Sequence, residues 1–287
     1  MPGILYMVAT PIGNLEDLTF RAKRILGEVD LIAAEDTRRT SNLLAHYQIK
    51  RPMVSLREHN ETREAPRLVA RMLSGTSIAV VTDAGTPGIA DPGATIVNAA
   101  RAAGIDVIPI PGASAVSAAM SVSGSTVPEF TFLGFPPAKG EERNRWFERL
   151  SAFDHPVVFF EAPHRIERTI AEAEELLVKK HILVLRELTK LNESSVIRPI
   201  HMPNESIKPI GEFCMVVIPE IDATSTTIAS SSLQDQALNL FERLVAGGEV
   251  SEDLAIELIA LKMGVPETAA RKAVKKAKIS VKQQKNR

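Results

Sequence analysis

Ile78-Ala79-Val80-Val81-Thr82-Asp83-Ala84-Gly85-Thr86-Pro87-Gly88-Ile89-Ala90-Asp91-Pro92-Gly93 is a short apolar, mostly β-branched run that empties into an eleven-residue loop. The loop holds three glycines, two prolines and two aspartates. That is far more punctuation than a plain connector needs, because proline fixes φ and glycine admits turns that other residues resist. The result is a rigid loop that exposes backbone groups at the carboxyl end of a strand, where open α/β sheets place ligands. Outward from it, Ile4–Ala9, Leu31–Ala34 and Val107–Ile110 have the same strand character, with helical spacing over Leu18–Leu26, Thr40–Tyr47, Thr62–Leu73 and Ala94–Ala103. The alternation predicts one mostly parallel sheet. Two further loops leave its strands: Thr10-Pro11-Ile12-Gly13-Asn14-Leu15, which taken alone reads as an ordinary strand-to-helix turn, and Pro111-Gly112-Ala113-Ser114-Ala115. The small side chains of the latter suit either a planar ring lying on backbone amides or close helix packing.

A small-residue segment, Ala113–Ser123, and a Gly/Ser/Thr/Pro stretch, Gly124–Pro128, mark a boundary. Beyond it, strand runs at Phe130–Leu133, Val157–Phe160, Ile182–Leu185 and Phe213–Ile218, with helices near Arg143–Leu150 and Arg165–Leu177, predict a second α/β domain. Asp222–Ser232 is Ser/Thr-rich and reads as a linker. It precedes helical spacing at Leu233–Leu244, Glu252–Lys262 and Glu267–Lys278. The expected organisation is α/β throughout: an N-terminal domain at 1–123, a second at 124–222, and a small basic helical module at 233–287.

Composition narrows the function. The 287 residues carry 34 Lys+Arg against 35 Asp+Glu, 45% hydrophobic and 24% charged, as in ordinary globular proteins. Cys214 is the only cysteine, so no internal disulfide framework exists, and the six histidines show no metal-ligand spacing; no metal is expected. The apolar run Ile4–Ala9 is too short for a signal-peptide core, and no stretch of ~20 apolar residues is present, which points to a cytoplasmic protein away from membranes. The near-zero net charge conceals an asymmetry: Lys262–Arg287 holds nine basic residues and one acid, a net +8, against −9 for the remainder. Such an end binds phosphate backbones or forms a solvated helix face.

No two glycines are separated by a single residue and none precedes a lysine. The dinucleotide fingerprint and the Walker A loop are therefore excluded. Thr10–Leu15, Ala34-Glu35-Asp36-Thr37-Arg38, His59-Asn60-Glu61, Asp83–Pro87, Asp91-Pro92-Gly93, Pro111-Gly112, Phe160-Glu161-Ala162-Pro163-His164-Arg165 and Arg186-Glu187-Leu188-Thr189-Lys190, in this order, resemble the tetrapyrrole-methylase superfamily. These are the class III S-adenosylmethionine-dependent methyltransferases. Within it, these motifs are most similar to the bacterial enzymes that methylate a cytidine ribose 2′-hydroxyl of 16S ribosomal RNA. The likeness spans about residues 4–220.

The resemblance implies two α/β domains with a cofactor cleft between them, S-adenosyl-L-methionine as cofactor, 16S ribosomal RNA as partner, and a homodimer; the modest basic patch favours the assembled small subunit over naked RNA as the form of that partner. It implies a cofactor held largely by backbone, at Pro11, Asp83, Gly85, Thr86, Ile89, Ser114, Ala115 and Ala162, with Phe213 closing one side. Side chains at Gly85 or Gly112 are expected to occupy ligand space. For the proton, Asp36, Glu187 and Lys190 are the candidates. Asp36 beside Arg38 reads equally as a base held ionised by a cation or as a helix cap. Lys190 near Glu187 reads as positive charge beside a developing alkoxide or as an exposed ion pair worth little. Arg38, His59, Asn60, Arg143, Arg165 and Arg186 are the candidate RNA contacts. His59 either shuttles a proton or satisfies backbone groups, and Trp146 either stacks on a splayed base or packs in a core. Two other readings compete: a tetrapyrrole C-methylase, and a non-catalytic RNA-binding ribosome-assembly factor.

Overall fold

The computed structural model describes residues 1–177, 180–199, 207–219 and 251–263, together with 268, 270–272, 274 and 275. The chain divides into two units, Met1–Glu220 and Ile221–Arg287.

The first unit contains two sheets. In one, β1 (Leu5–Val8), β2 (Leu31–Ala34), β3 (Met53–Ser55), β4 (Ile78–Val81) and β5 (Val107–Ile110) lie in the order β3-β2-β4-β1-β5, every pair parallel. All four runs read as strands are strands. The fifth, β3, escapes a sequence reading because it is a three-residue, half-buried edge strand following Pro52. Helices α1 (Phe20–Glu28), α2 (Thr37–His46), α3 (Glu58–Leu73) and α4 (Ala94–Ala102) cover both faces. Because side chains alternate along a strand, Leu31, Ala33, Ile78 and Val80 face α3 and α4 through Leu68, Met72, Ile96 and Ala100. Ile32, Ala34, Ala79 and Val81 face α1 and α2 through Ile25, Leu26 and Leu44. A sheet covered on both faces explains the uninterrupted apolar strands.

The chain leaves β1 toward α1 on one face and β4 toward α4 on the other, although β1 and β4 are neighbours. The helices that follow β1 and β4 therefore diverge, and a crevice opens at the carboxyl ends of the strands.

In the second sheet, β6 (Thr131–Phe132), β7 (Val157–Glu161), β8 (Lys180–Arg186), β9 (Ser194–Pro199) and β10 (Phe213–Pro219) run in the order β6-β7-β10-β8-β9. Only β6 and β7 are parallel; the other neighbours are antiparallel. The sheet edge β9 was not evident in the sequence, since its Val196 and Ile197 are exposed and no buried face imposes alternation. The small-residue segment forms α5 (Ala115–Ser121), whose Val116 and Ala119 pack on Val158, Leu183 and Val216. The opposite face is covered by α6 (Glu141–Ala152) and α7 (Ile166–Leu176). Trp146 belongs to this core, its ring 5.0 Å from that of Phe159, so of its two readings the packing one holds.

In the second unit, α8 (Glu252–Met263) buries Ala255, Ile256, Ile259 and Ala260 along one stripe. The described residues from 268 to 275 are helical. The expected linker, the Leu233–Leu244 segment and the chain from 276 onward lie outside the described residues. Among the described residues no helix is long and apolar enough to cross a membrane.

Candidate functional site

The loops after β1, β4 and β5 are stitched together at the crevice. Thr10 N–H donates to Gly85 O (2.9 Å) and Gly85 N–H to Thr10 O (3.0 Å), while Thr86 Oγ1 donates to Ala113 O (3.3 Å). Gly85 stands at φ +79°, and a Cβ there would make only ordinary contact, 3.5 Å from Ile12 Cγ2. At Gly112 a Cβ would come within 3.0 Å of Ala9 Cβ. A side chain at Gly112 would meet the end of β1, whereas Gly85 borders the cavity that opens here. Gly85 is required by backbone conformation, and Gly112 by its approach to the end of β1.

A cavity of about 400 Å³ opens here. Its walls are Ile12, the β4 loop from Ala84 to Thr86 and Ile89 to Asp91, the start of α5 at Ser114–Val116, and Phe135, Phe160–Pro163, Leu188 and Glu212–Cys214 from the second sheet. Gly85, Thr86, Ile89, Ser114, Ala115, Ala162 and Phe213 therefore converge on one space. Pro11 and Asp83 do not line it; they line an adjoining cavity of about 330 Å³ that shares Ile12, Ala84 and Glu212 with the first. The first cavity is of small-molecule size, with largely apolar walls and few polar groups. The rings of Phe135 and Phe160 lie 5.4 Å apart beside it, and Ser114 caps α5 at its edge. Asp91 supplies a carboxyl that burial, then Glu35 and Asp83, push up to about 6. Burial pushes the Cys214 thiol up to about 12, which keeps it protonated. An apolar slot with aromatic rings and a carboxyl at its wall fits S-adenosylmethionine, whose ring is flat and whose sulfonium is cationic.

Glu161, part of a motif in the sequence but given no role there, holds one wall. It is 2% exposed, and its Oε1 accepts from Ala162 N–H at 2.7 Å while Thr169 Oγ1 donates to its Oε2. Arg143 and Arg165 flank it, Arg165 Nε at 2.8 Å. A lone acid ending the apolar run Val157–Phe160 was the available signal. Arg143 also donates to Glu172, Thr169 Oγ1 and Pro137 O, and is 1% exposed. The expectation of Arg143 as an RNA contact is corrected accordingly, since it is sealed from solvent, while Arg165 stays partly exposed beside Glu161 and donates to Pro136 O (3.2 Å).

Asp36 caps α2, accepting from Arg38 N–H (2.9 Å) and from the Arg38 guanidinium (2.8 Å). Those bonds hold its carboxyl far below the usual range, which makes it a weak proton acceptor. Asp83 Oδ1 accepts from Asp36 N–H, and Glu35 Oε2 from Asp83 N–H, so the acids after β2 and β4 brace each other's loops. Lys190 Nζ donates to Glu187 Oε1 (2.9 Å) and Glu212 Oε2 (3.0 Å). Burial works against its charge, yet the two carboxylates outweigh burial and hold its ammonium above the ordinary value. The Lys190 hydrogen bond lowers Glu187 in turn. Glu187 (φ +54°) and Thr189 (φ +66°) bend this loop back onto the β1 loop, where Thr189 Oγ1 accepts from Asn14 N–H at 3.0 Å.

The remaining candidates do not gather at the cavity. His59 is exposed in the first turn of α3, Asn60 caps that helix by accepting from Arg57 N–H (2.8 Å), and Arg186 donates to Ile210 O (2.6 Å). Arg38 is 86% exposed.

Comparisons with known proteins agree with this geometry. Residues 4–202 match the family of Tetrapyrrole (Corrin/Porphyrin) Methylases. The chain is 41% identical over 260 residues to Ribosomal RNA small subunit methyltransferase I of Synechocystis sp., covering 89% of this chain and 93% of that protein. It is 45% identical over 233 residues to the protein of the same name from Xylella fastidiosa, covering 79% and 85%. In fold it is similar to uroporphyrin-III C-methyl transferase from Thermus thermophilus, solved with S-adenyl homocysteine (TM-score 0.52, 15% identity, 77% of this chain and all of that one). Likeness across most of its own length and of theirs makes this chain a member of the tetrapyrrole methylases, in the branch of ribosomal RNA small subunit methyltransferase I.

Proposed function

We propose that the protein transfers the methyl group of S-adenosyl-L-methionine to a cytidine ribose 2′-hydroxyl in the decoding region of 16S ribosomal RNA. The observation that carries this reading is the first cavity, built at a strand switch point from Gly85, Thr86, Ile89, Ser114, Ala115, Ala162 and Phe213 and opening beside Lys190. When bound, the cofactor would supply a methyl carbon on a cationic sulfur, so that an O–C bond forms as a C–S bond breaks, the sulfur keeping the electron pair as a neutral thioether and the hydroxyl proton passing to solvent.

The chain's own residues would contribute chiefly position. The β4 loop and the Ala162 backbone, braced by Glu161, fix one reactant and keep water from it. Lys190, held protonated by Glu187 and Glu212, places positive charge where an alkoxide develops. It serves as an electrostatic partner rather than a proton acceptor. Arg38 stands in solvent at the start of α2, suited to a phosphate. The assembled small subunit as substrate, a homodimer, a cytoplasmic location and a division of the chain at 1–123, 124–222 and 233–287 complete the reading.

The test is transfer from labelled cofactor to small subunits purified from a strain lacking this gene, to naked 16S RNA, and to a tetrapyrrole precursor, followed by nuclease mapping. Label at one cytidine ribose, strongest on subunits, is the expected result. Cofactor binding without label on any RNA would overturn the proposal.

A further inference from the structure

The second cavity has a chemistry unlike the first. Its walls are the β1 loop from Thr10 to Gly13, one face of α2, Asp83, Lys190 and Glu212. Arg39, Thr40, Asn42 and Leu43 line it, so one side of α2 borders the space. Its wall carries two cations, Arg39 and Lys190, and an amide, Asn42, none of which the first cavity has. We infer that this cavity is the acceptor-nucleotide subsite, with Lys190 donating to the ribose oxygens, Arg39 to a flanking phosphate and Asn42 pairing with the base edge. The assignment rests on the proposed function and deepens it.

Three observations support it. An acceptor hydroxyl must reach the methyl donor at bonding distance, and the two cavities share Ile12, Ala84 and Glu212, so they open on each other. Of Asp36, Glu187 and Lys190, only Lys190 lines either space. Arg39 approaches Asp83 at 3.4 Å yet keeps 69% of its side chain exposed, leaving guanidinium donors for an incoming phosphate.

Gly13 is the fourth piece. A Cβ on it would fall 2.4 Å from Lys190 Cγ and 2.8 Å from Thr189 Oγ1. Its backbone conformation is one that other residues adopt, so the requirement is space for the lysine stem. This glycine lets a side chain from the second sheet cross into a cavity floored by the first. At about 330 Å³ the space is at the small end of ligand sites and suits one nucleotide.

The experiment compares wild type with Lys190→Met, Lys190→Arg, Asn42→Ala, Arg39→Ala and Gly13→Ala. Two quantities are read: the dissociation constant for S-adenosylhomocysteine by calorimetry, and kcat and KM for methyl transfer to small subunits from a strain lacking the gene. Every variant should bind S-adenosylhomocysteine within about threefold of wild type, which also establishes that it folds. Lys190→Met and Gly13→Ala should lower kcat on the order of 100-fold, the usual loss when one transition-state electrostatic partner is removed. Lys190→Arg should recover part of that, as a purely structural lysine would not. Asn42→Ala and Arg39→Ala should raise KM about tenfold with kcat little changed. Wild-type transfer with all five variants inside twofold of its kcat/KM would overturn the subsite and leave the proposed function standing. Cofactor binding with no wild-type transfer to any RNA would overturn both.

Discussion

Asp91 sits in the wall of the first cavity with its carboxyl pushed from an ordinary value of 3.8 up to about 6, by burial first and by Glu35 and Asp83 after it. Between those two values the folded protein keeps a proton that the unfolded chain has released, so stability falls as pH rises through the window, and the full cost persists above it. Asp91→Asn removes the charge and keeps the shape. Thermal unfolding should show the variant more stable at pH 7.5 by on the order of 1 kcal/mol after solvent screening, a rise of about 2–4 °C in Tm. At pH 2.5, where both states are protonated, the gain should vanish; an equal gain at both pH values would refute the charge origin. Asp91 and Asp83 were legible together as the two acids of one conspicuous loop, but Glu35 was not, because it reaches them from the end of the neighbouring strand β2. The same holds for Arg143, whose partners Glu161 and Glu172 lie far along the chain and turn an apparently exposed cation into a buried one.

At the level of elements, α4 begins at Gly93, which has no side chain to cap it. The cap comes from α3: Glu61, 5% exposed, accepts from Gly93 N–H (3.1 Å) and Ile96 N–H (3.0 Å). Glu61→Ala would leave both buried donors unpaired at a cost of about 2–4 kcal/mol. Urea unfolding should show a lower midpoint with an unchanged slope, and a midpoint within error of wild type would mean that water or another group takes over the cap. His59-Asn60-Glu61 thus works mainly in construction: Asn60 starts one helix and Glu61 the next. Strands packed on two faces were readable from their apolar runs. The edges β3 and β9 were not, since an edge strand buries too little for periodicity to record it. The helix α3 begins at Glu58 rather than Thr62 for a related reason, its first turn being fixed by the Asn60 cap and not by apolar spacing.

Across the whole molecule, charge is divided: net +8 on Lys262–Arg287 and −9 on the rest. If this end holds ribosomal RNA, truncation after Leu261 should make log K for RNA binding depend less steeply on log salt, by about 0.7 for each single-strand phosphate that the shortened chain leaves unneutralised, with S-adenosylhomocysteine affinity unchanged. A slope that stays the same would give the basic end another task. The two-sheet plan could be read in the chain because each sheet writes its own alternation. The cavities could not, because they arise where residues from both sheets meet, as when Gly13 makes room for Lys190. The Thr10–Gly85 pair has a consequence of this kind. Two neighbouring strand-end loops clasp each other through reciprocal amide bonds. Because those bonds run between main-chain groups, no side-chain replacement at Thr10 other than proline removes them, and the shape of that wall is written into the backbone path of two strands rather than into the identity of any one residue.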